Sequence, residues 1–225
     1  ELPAVDRVRA RPQYIEQRAK EWGRDSWEFQ VKIGGNFARQ SERAFIDLTL
    51  VIGAQNRWTT TPSAEDLAQP LSVGVDPARM GKDYTSITFR RGAWVDKIIT
   101  LAKRDNGDVA GVILTEIEAR ARPGEEVRVK VDQTNNNGVV DFLKRCEPKR
   151  GIILRLVEIT SQSSSLDPGF RDMRSHVWGT MRGWLATGAI PSDGTLQAQL
   201  TAPQSDYDER LRVRLESKRD VSERL

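Results

Sequence analysis

The hydrophobic pattern in the middle of the chain predicts an antiparallel meander of three strands. An apolar alternation from Leu71 to Val75 ends on Asp76, and Pro77 should stop this strand because proline cannot donate a ladder hydrogen bond. Residues 84–89 are rich in β-branched and aromatic side chains, and residues 93–101 read as a third strand. Short connections join the three segments, so we expect them to pair as neighbours.

Beyond the meander, the period of the apolar residues alternates between that of helices and that of strands. Helical spacing follows residues 106–108, a strand alternation fills 127–132, and a second helix is predicted at 139–146. Residues 151–157 form a nearly continuous apolar run, which predicts a central strand covered on both faces. The predicted order is three strands, a helix, a strand, a helix and a strand.

The last third of the chain contains two further predicted helices. The first should begin at Asp167-Pro168, where a capping side chain precedes a proline, and should end at Gly188. The second, shorter helix is predicted at 193–200. Both would follow the predicted sheet.

An alternation of basic and other residues near the end of the chain predicts one more strand, Arg210 to Glu216. Its apolar residues would share one face, and Arg210, Arg212 and Arg214 would share the other at intervals of about 6.7 Å. That interval is close to the spacing of phosphates along one strand of a duplex, so these arginines are predicted nucleic-acid contacts. The alternative is an edge strand that uses its charges to prevent pairing.

Two strand ends carry candidate metal ligands. Asp76 ends the first predicted strand and Asp132 ends the fourth, and carboxylate oxygens suit Mg²⁺ or Mn²⁺. Asp83, across the first hairpin turn, is a candidate supplementary catalytic carboxylate. The alternative is that each aspartate caps a turn or the following helix.

Composition narrows the class of protein. The 225 residues carry a net charge of +3, and the single cysteine excludes an intrachain disulfide and fits a reducing cytoplasm. One histidine and one cysteine also argue against a zinc site. No apolar run approaches the length of a membrane span, and no signal-peptide pattern opens the chain, so no membrane partner is expected.

Basic residues cluster beside the predicted carboxylate site. Seven of them lie between residues 77 and 104, against two acidic residues. They are Arg79, Lys82, Arg90, Arg91, Lys97, Lys103 and Arg104. We predict the first four as nucleic-acid contacts, because cations beside a metal site suit a phosphodiester substrate. The alternative is a solvated hairpin surface.

Four segments in chain order resemble phage large terminase subunits. They are GVDPARMGKDYTSITFRRG, KVDQTNNNGVVDFL, FRDMRSHVWGTMRGWLATGAIP and LESKRD. The resemblance runs from about Gln69 to Asp220 and is to the nuclease domain of that family. It implies an RNase H-like mixed sheet flanked by helices, and a metal-dependent endonuclease that cuts concatemeric double-stranded DNA during genome packaging.

The resemblance also implies a domain plan and a set of partners. Residues 1–60, with the turn Gly35-Asn36-Phe37, resemble the end of the family's ATPase domain; 61–70 is a linker by composition; and 71–225 is the nuclease domain. No Gly-x-x-x-x-Gly-Lys-Ser/Thr motif occurs, so no ATP hydrolysis is expected from this chain. The implied partners are double-stranded DNA, the ATPase motor domain, the small terminase subunit and the capsid portal, in the host cytoplasm.

In the two-metal mechanism that the resemblance implies, Asp76 would contact both Mg²⁺ or Mn²⁺ ions and Asp132 would hold one. The family's third carboxylate belongs to a Ser-Pro-Asp motif after the LESKRD-like segment, and this sequence has no such motif. Two explanations stay open: a C-terminal part of the protein is missing, or this copy is defective. The alternatives to the nuclease are therefore a nuclease-inactive module that binds DNA or docks to the portal, and a transposase- or resolvase-type enzyme.

Overall fold

The structure is a computed structural model that describes residue 16 and the ranges 44–78, 84–134 and 138–224. The predicted terminase turn at 35–37 lies outside these residues. The α-helices of the described ranges are α1 (Leu48–Arg57), α2 (Ala64–Ala68), α3 (Asn106–Arg120), α4 (Val139–Lys144), α5 (Met173–Trp184), α6 (Gly194–Thr201) and α7 (Lys218–Arg224). The strands are β1 (Leu71–Asp76), β2 (Tyr84–Arg91), β3 (Trp94–Ala102), β4 (Glu126–Asp132), β5 (Ile153–Ile159), β6 (Ser205–Tyr207) and β7 (Val213–Leu215). Within the described part of the chain, no helix is long and apolar enough to cross a membrane.

Five strands form one mixed sheet in the order β3-β2-β1-β4-β5. The β1–β2 and β2–β3 pairs are antiparallel, whereas the β1–β4 and β4–β5 pairs are parallel. This confirms the predicted antiparallel meander followed by parallel strands, flanked by helices.

The alternation in the strands buries one face of the sheet under α3 and α4. Val73 of β1 pairs with Phe89 of β2 and Val129 of β4, and all three are fully buried. Asp105 caps α3 by accepting a hydrogen bond from the backbone N–H of Asp108, at 2.8 Å. The apolar face of α3 completes this first core. The residues that alternate with the buried ones on β1 and β4 therefore face away from α3 and α4.

A second core lies against β3. It joins α1, α5 and α6 to Val95, and Arg57 at the end of α1 donates to the carbonyl of Gly188, at 3.0 Å. Residues 44–57 thus pack on the same body as the sheet, although they belong to the region predicted as the end of an ATPase domain. The predicted linker at 61–70 contains α2, and Asp66 accepts a hydrogen bond from the backbone N–H of Ala93, at 2.9 Å. The assignment of these regions to a motor domain and a linker stays a prediction.

The prediction that residues 151–157 form a central strand is wrong. The strand exists as β5, but β5 is an edge of the described sheet, and Ile153 and Val157 are 48% and 40% exposed. An unbroken apolar run does not distinguish a covered central strand from an edge strand.

Two boundaries in the last third of the chain also differ from the prediction. Helix α5 begins at Met173 with Asp172 as its cap, because Asp167 instead accepts a hydrogen bond from the backbone N–H of Gly169 and forms a local turn. The strand predicted at 210–216 is reduced to β7, because Leu211 adopts a left-handed φ of 58°.

Candidate metal centre

The sheet register brings Asp76 and Asp132 together. Val75 and Val131 are partners in the parallel β1–β4 ladder, and the two aspartates are the next residues on their strands. Adjacent strands lie about 4.8 Å apart, so the carboxylates emerge side by side at the carboxyl ends of two parallel strands. Because their preceding valines are buried under α3 and α4, both aspartates lie on the opposite face of the sheet.

Asp132 is held by hydrogen bonds from two neighbouring loops. One carboxylate oxygen accepts from the backbone N–H of Thr134, at 2.8 Å, and from the hydroxyl of the same residue. The other accepts from the hydroxyl of Ser161, at 2.5 Å. Partial burial on its own would raise the pKa of Asp132, but the donors from Ser161 and Thr134 and the charge of Lys218 outweigh it and lower the pKa. The carboxylate is therefore ionised near neutral pH, and the hydrogen bonds from Thr134 and Ser161 fix its orientation.

A lysine from the end of the chain reaches this pair of aspartates. The Lys218 ammonium, at the start of α7, lies 3.7 Å from a carboxylate oxygen of Asp76, and both side chains are more than half exposed. Sequence reasoning singled out the LESKRD segment that contains Lys218 but assigned the residue no role. The charge of Lys218 also contributes to the lowered pKa of Asp132.

The oxygen donors of this centre fit a hard divalent cation. Asp76 and Asp132 supply carboxylates on one face of the sheet, which are ligands that Mg²⁺ and Mn²⁺ accept. Among the described residues, no group of three or more acidic, histidine or cysteine side chains is placed to hold a metal ion. The predicted contributions of Asp83, Arg79 and Lys82 concern positions outside the described residues.

Arg91 does not fit its predicted role as a phosphate contact. Its guanidinium is buried and makes a two-pronged ion pair with Glu125, at 2.6 and 2.9 Å, and it also donates to the carbonyls of Gln69 and Arg120. Glu125 in turn accepts from the backbone N–H of Leu71, at 2.8 Å. This network closes the first core at the start of β1 and has a structural role. Alternation along β2 could have indicated this, because Arg91 shares a face with Phe89.

The three arginines near the end of the chain do not form the predicted row on one strand face. Arg212 pairs with Asp208 at 2.7 Å, and Arg214 pairs with Asp206 through its guanidinium. Arg210 lies in the turn that Asp208 closes by accepting its backbone N–H, at 3.0 Å. Their contact with nucleic acid stays a prediction, but the even spacing that suggested it is wrong.

Taken together, the mixed sheet and the carboxylate pair at its parallel strand ends define the class of fold: it is the fold of phage terminase nucleases. A mutant gp2c of the large terminase subunit from bacteriophage Sf6, with calcium, matches with a TM-score of 0.62 and 14% identity over 81% of this chain and 92% of that one. The large terminase nuclease of thermophilic phage G20c with bound magnesium matches with a TM-score of 0.53 and 11% identity over 80% and 94%. The corresponding domain of Thermus phage P74-26 gives 0.50 and 12% over 76% and 85%.

At these identities the likeness establishes the fold, as the sequence resemblance predicted. No family profile matches the sequence, and no curated protein does.

Proposed function

We propose that this chain is a metal-dependent endonuclease that cuts double-stranded DNA, as the nuclease part of a viral genome-packaging terminase. The observation that carries the proposal is the placement of Asp76 and Asp132 on adjacent parallel strands of this fold. The metal-bound terminase nucleases of similar fold support it. Double-stranded DNA would be the substrate, and a motor domain, a small subunit and a portal would complete the packaging assembly in the host cytoplasm.

Each residue of the centre has a defined task in this proposal. Asp76 and Asp132 would hold Mg²⁺ or Mn²⁺, two ions when DNA is present. A divalent cation held there would lower the pKa of a bound water and offset the negative charge of a phosphodiester. Thr134 and Ser161 fix the orientation of Asp132 through three donated hydrogen bonds. Lys218 would give up its contact with Asp76 and is then free to meet a phosphate oxygen.

One observation favours a second function, a nuclease-inactive module that binds DNA or docks to the portal. The Lys218 ammonium already lies against Asp76, so a built-in cation partly neutralises the carboxylate pair. A chain that used this lysine in place of a metal would keep the fold and the basic surface without cutting.

Cleavage of a supercoiled plasmid separates the two functions. With Mn²⁺ the unaltered chain should nick and linearise the plasmid, and a chelator should stop the reaction. Asp76→Asn and Asp132→Asn should each abolish cleavage. Asp76→Asn should keep the thermal unfolding midpoint, because this side chain is largely exposed. Asp132→Asn should lower the midpoint, because the Asp132 carboxylate accepts hydrogen bonds from Thr134 and Ser161. The matched control is Asp141→Asn, an exposed position on α4 away from the centre, which should cut normally.

Two outcomes would overturn the nuclease. Binding of DNA without any metal-dependent cutting would establish the inactive module. Cutting that persists in both Asp76→Asn and Asp132→Asn would show that the reaction occurs elsewhere.

A further inference from the structure

The face of the sheet that carries Asp76 and Asp132 continues beyond them as a trough along β1. The residues of β1 on this face are small, Ser72 and Gly74, and a side chain built at Gly74 would meet no atom within 4 Å. A depression of about 130 Å³ lies over them. It is lined by Ser72, Val73, Gly74, Thr88, Arg90 and Lys130. We call this depression, with Arg128 beside it, the β1 trough.

Both walls of the β1 trough are basic. On the β4 side, Arg128 and Lys130 are exposed and lie four and two residues before Asp132 on the same face. On the β2 side, Arg90 pairs in register with Ser72, donates to the carbonyl of Gly92 at 2.5 Å and lies 5.7 Å from the centre of the Trp184 ring.

Charge along the trough changes sign towards the metal centre. Across the sheet, Ser72 stands between Arg90 and Arg128, Gly74 stands beside Lys130, and the next positions are the two aspartates. On β5, Arg155 is the register partner of Arg128, but it is paired with Glu126 at 2.9 Å and therefore adds little uncompensated positive charge. No carboxylate in the described ranges forms an ion pair with Arg128 or Lys130.

The dimensions of the trough fit one backbone of a nucleic acid. Its walls on β2 and β4 are two strand spacings apart, roughly 9.6 Å, which is too narrow for a whole duplex. Alternate residues of β4 advance by about 6.7 Å, so Lys130 and Arg128 are spaced for successive phosphates counted outward from Asp132.

We propose that the β1 trough seats one strand of a DNA duplex by its phosphates and leads that strand to Asp76 and Asp132. The proposal rests on the proposed nuclease function, and it assigns substrate positioning to Arg128 and Lys130. Arg90, held against Trp184, closes the other wall. Small residues at Ser72 and Gly74 let the backbone approach the sheet.

Binding of a fluorescent duplex in the presence of a chelator tests this without cleavage. The double variant Arg128→Gln, Lys130→Gln should bind roughly ten- to a hundredfold more weakly at low salt. The slope of log K against log salt concentration should become less steep by about 1.8, because each of the two lost phosphate contacts accounts for about 0.9. The charge-matched control is Arg145→Gln, Lys149→Gln, whose exposed residues precede β5 at the opposite end of the parallel strands.

Gly74→Val tests the trough without changing charge. A Cβ at this position meets no atom within 4 Å, and valine suits a strand better than glycine. The variant should therefore keep or raise the thermal midpoint and weaken duplex binding by filling the trough. Equal losses in the β4 variant and its control would overturn the proposal in favour of general charge attraction. Unimpaired binding by Gly74→Val would overturn the trough as the seat of the strand.

The plasmid assay keeps this inference separate from the proposed function. If the unaltered chain cuts but the trough variants bind and cut normally, the inference fails and the nuclease stands. If the unaltered chain never cuts, yet its duplex binding depends on Arg128, Lys130 and Gly74, the nuclease fails and the trough remains a DNA-binding surface.

Discussion

Replacing Lys218 with alanine should tighten the binding of a divalent cation at Asp76 and Asp132. The ammonium lies 3.7 Å from Asp76, and both side chains are largely exposed, so the ion pair contributes about 0.2–1 kcal/mol. A bound dication would also meet repulsion from the ammonium, about 1.7 kcal/mol at roughly 5 Å in water before salt screening. With screening, the two effects together amount to about 1–2 kcal/mol. We therefore expect Mn²⁺ to bind about 5- to 30-fold more tightly.

Calorimetric titration with Mn²⁺ at low salt, without DNA, measures this change. Lys218→Arg keeps the charge and should bind Mn²⁺ like the unaltered chain. Arg219→Ala removes the next cation of α7, which is paired with Glu223 at 2.7 Å, and controls for loss of charge on the helix. An unchanged dissociation constant in Lys218→Ala would refute the reasoning. Equal tightening in Arg219→Ala would refute the specific role of Lys218.

Three further predictions concern stability. Glu125→Gln should lower the free energy of unfolding, measured in urea, by about 3–5 kcal/mol, because Arg91 would stay buried without a counter-charge. The control Glu126→Gln, at an exposed ion pair, should cost under about 1 kcal/mol. Burial alone would raise the pKa of Glu125, but its hydrogen bonds from Arg91, a second arginine and backbone N–H groups hold that pKa well below the ordinary value. The ionised Glu125 thus contributes fully to the free energy of unfolding above about pH 5, and this contribution is lost as pH falls towards the lowered pKa. Between about pH 5 and 3, the free energy of unfolding should therefore fall less in Glu125→Gln than in the unaltered chain. Gly179→Ala should lower the thermal midpoint, because its Cβ would overlap the ring of Phe170, while Gly183→Ala on the same helix should be neutral or stabilising.

The fold could be predicted where local periodicity decides the structure. The alternation in β1 and β4 places their valines under α3 and α4 and the residues between the valines on the other face of the sheet. The face that carries Asp76 and Asp132 could therefore be predicted directly from the pattern. The order of strands and helices then limits the sheet to few topologies. The positions of Asp76 and Asp132 in the fold could therefore be predicted from short segments of sequence.

The errors arose where a turn or the pairing of strands overrides the apolar period. Leu211 interrupts an alternating sequence because Asp208 closes a turn by accepting the N–H groups of Arg210 and Arg212. Strand β5 has the apolar run of a central strand, yet only β4 pairs with it among the described strands. Periodicity contains no information on either point, since the first depends on a local turn and the second on which strands meet after folding.

The candidate metal centre depends both on local periodicity and on contacts between distant segments of the chain. The charge of Asp132 is decided mainly by the distant contacts. Two carboxylates on neighbouring strands repel each other when no cation is bound, which favours protonation of one of them. Here Asp132 instead has a lowered pKa, because Ser161, Thr134 and Lys218 favour its charged form. Ser161 and Lys218 arrive from segments that follow β5 and β7, far along the chain from β4. The strands thus place the two proposed ligands, and the later segments keep Asp132 ionised, so that near neutral pH a metal ion would have to displace Lys218 from Asp76 and not a proton from Asp132.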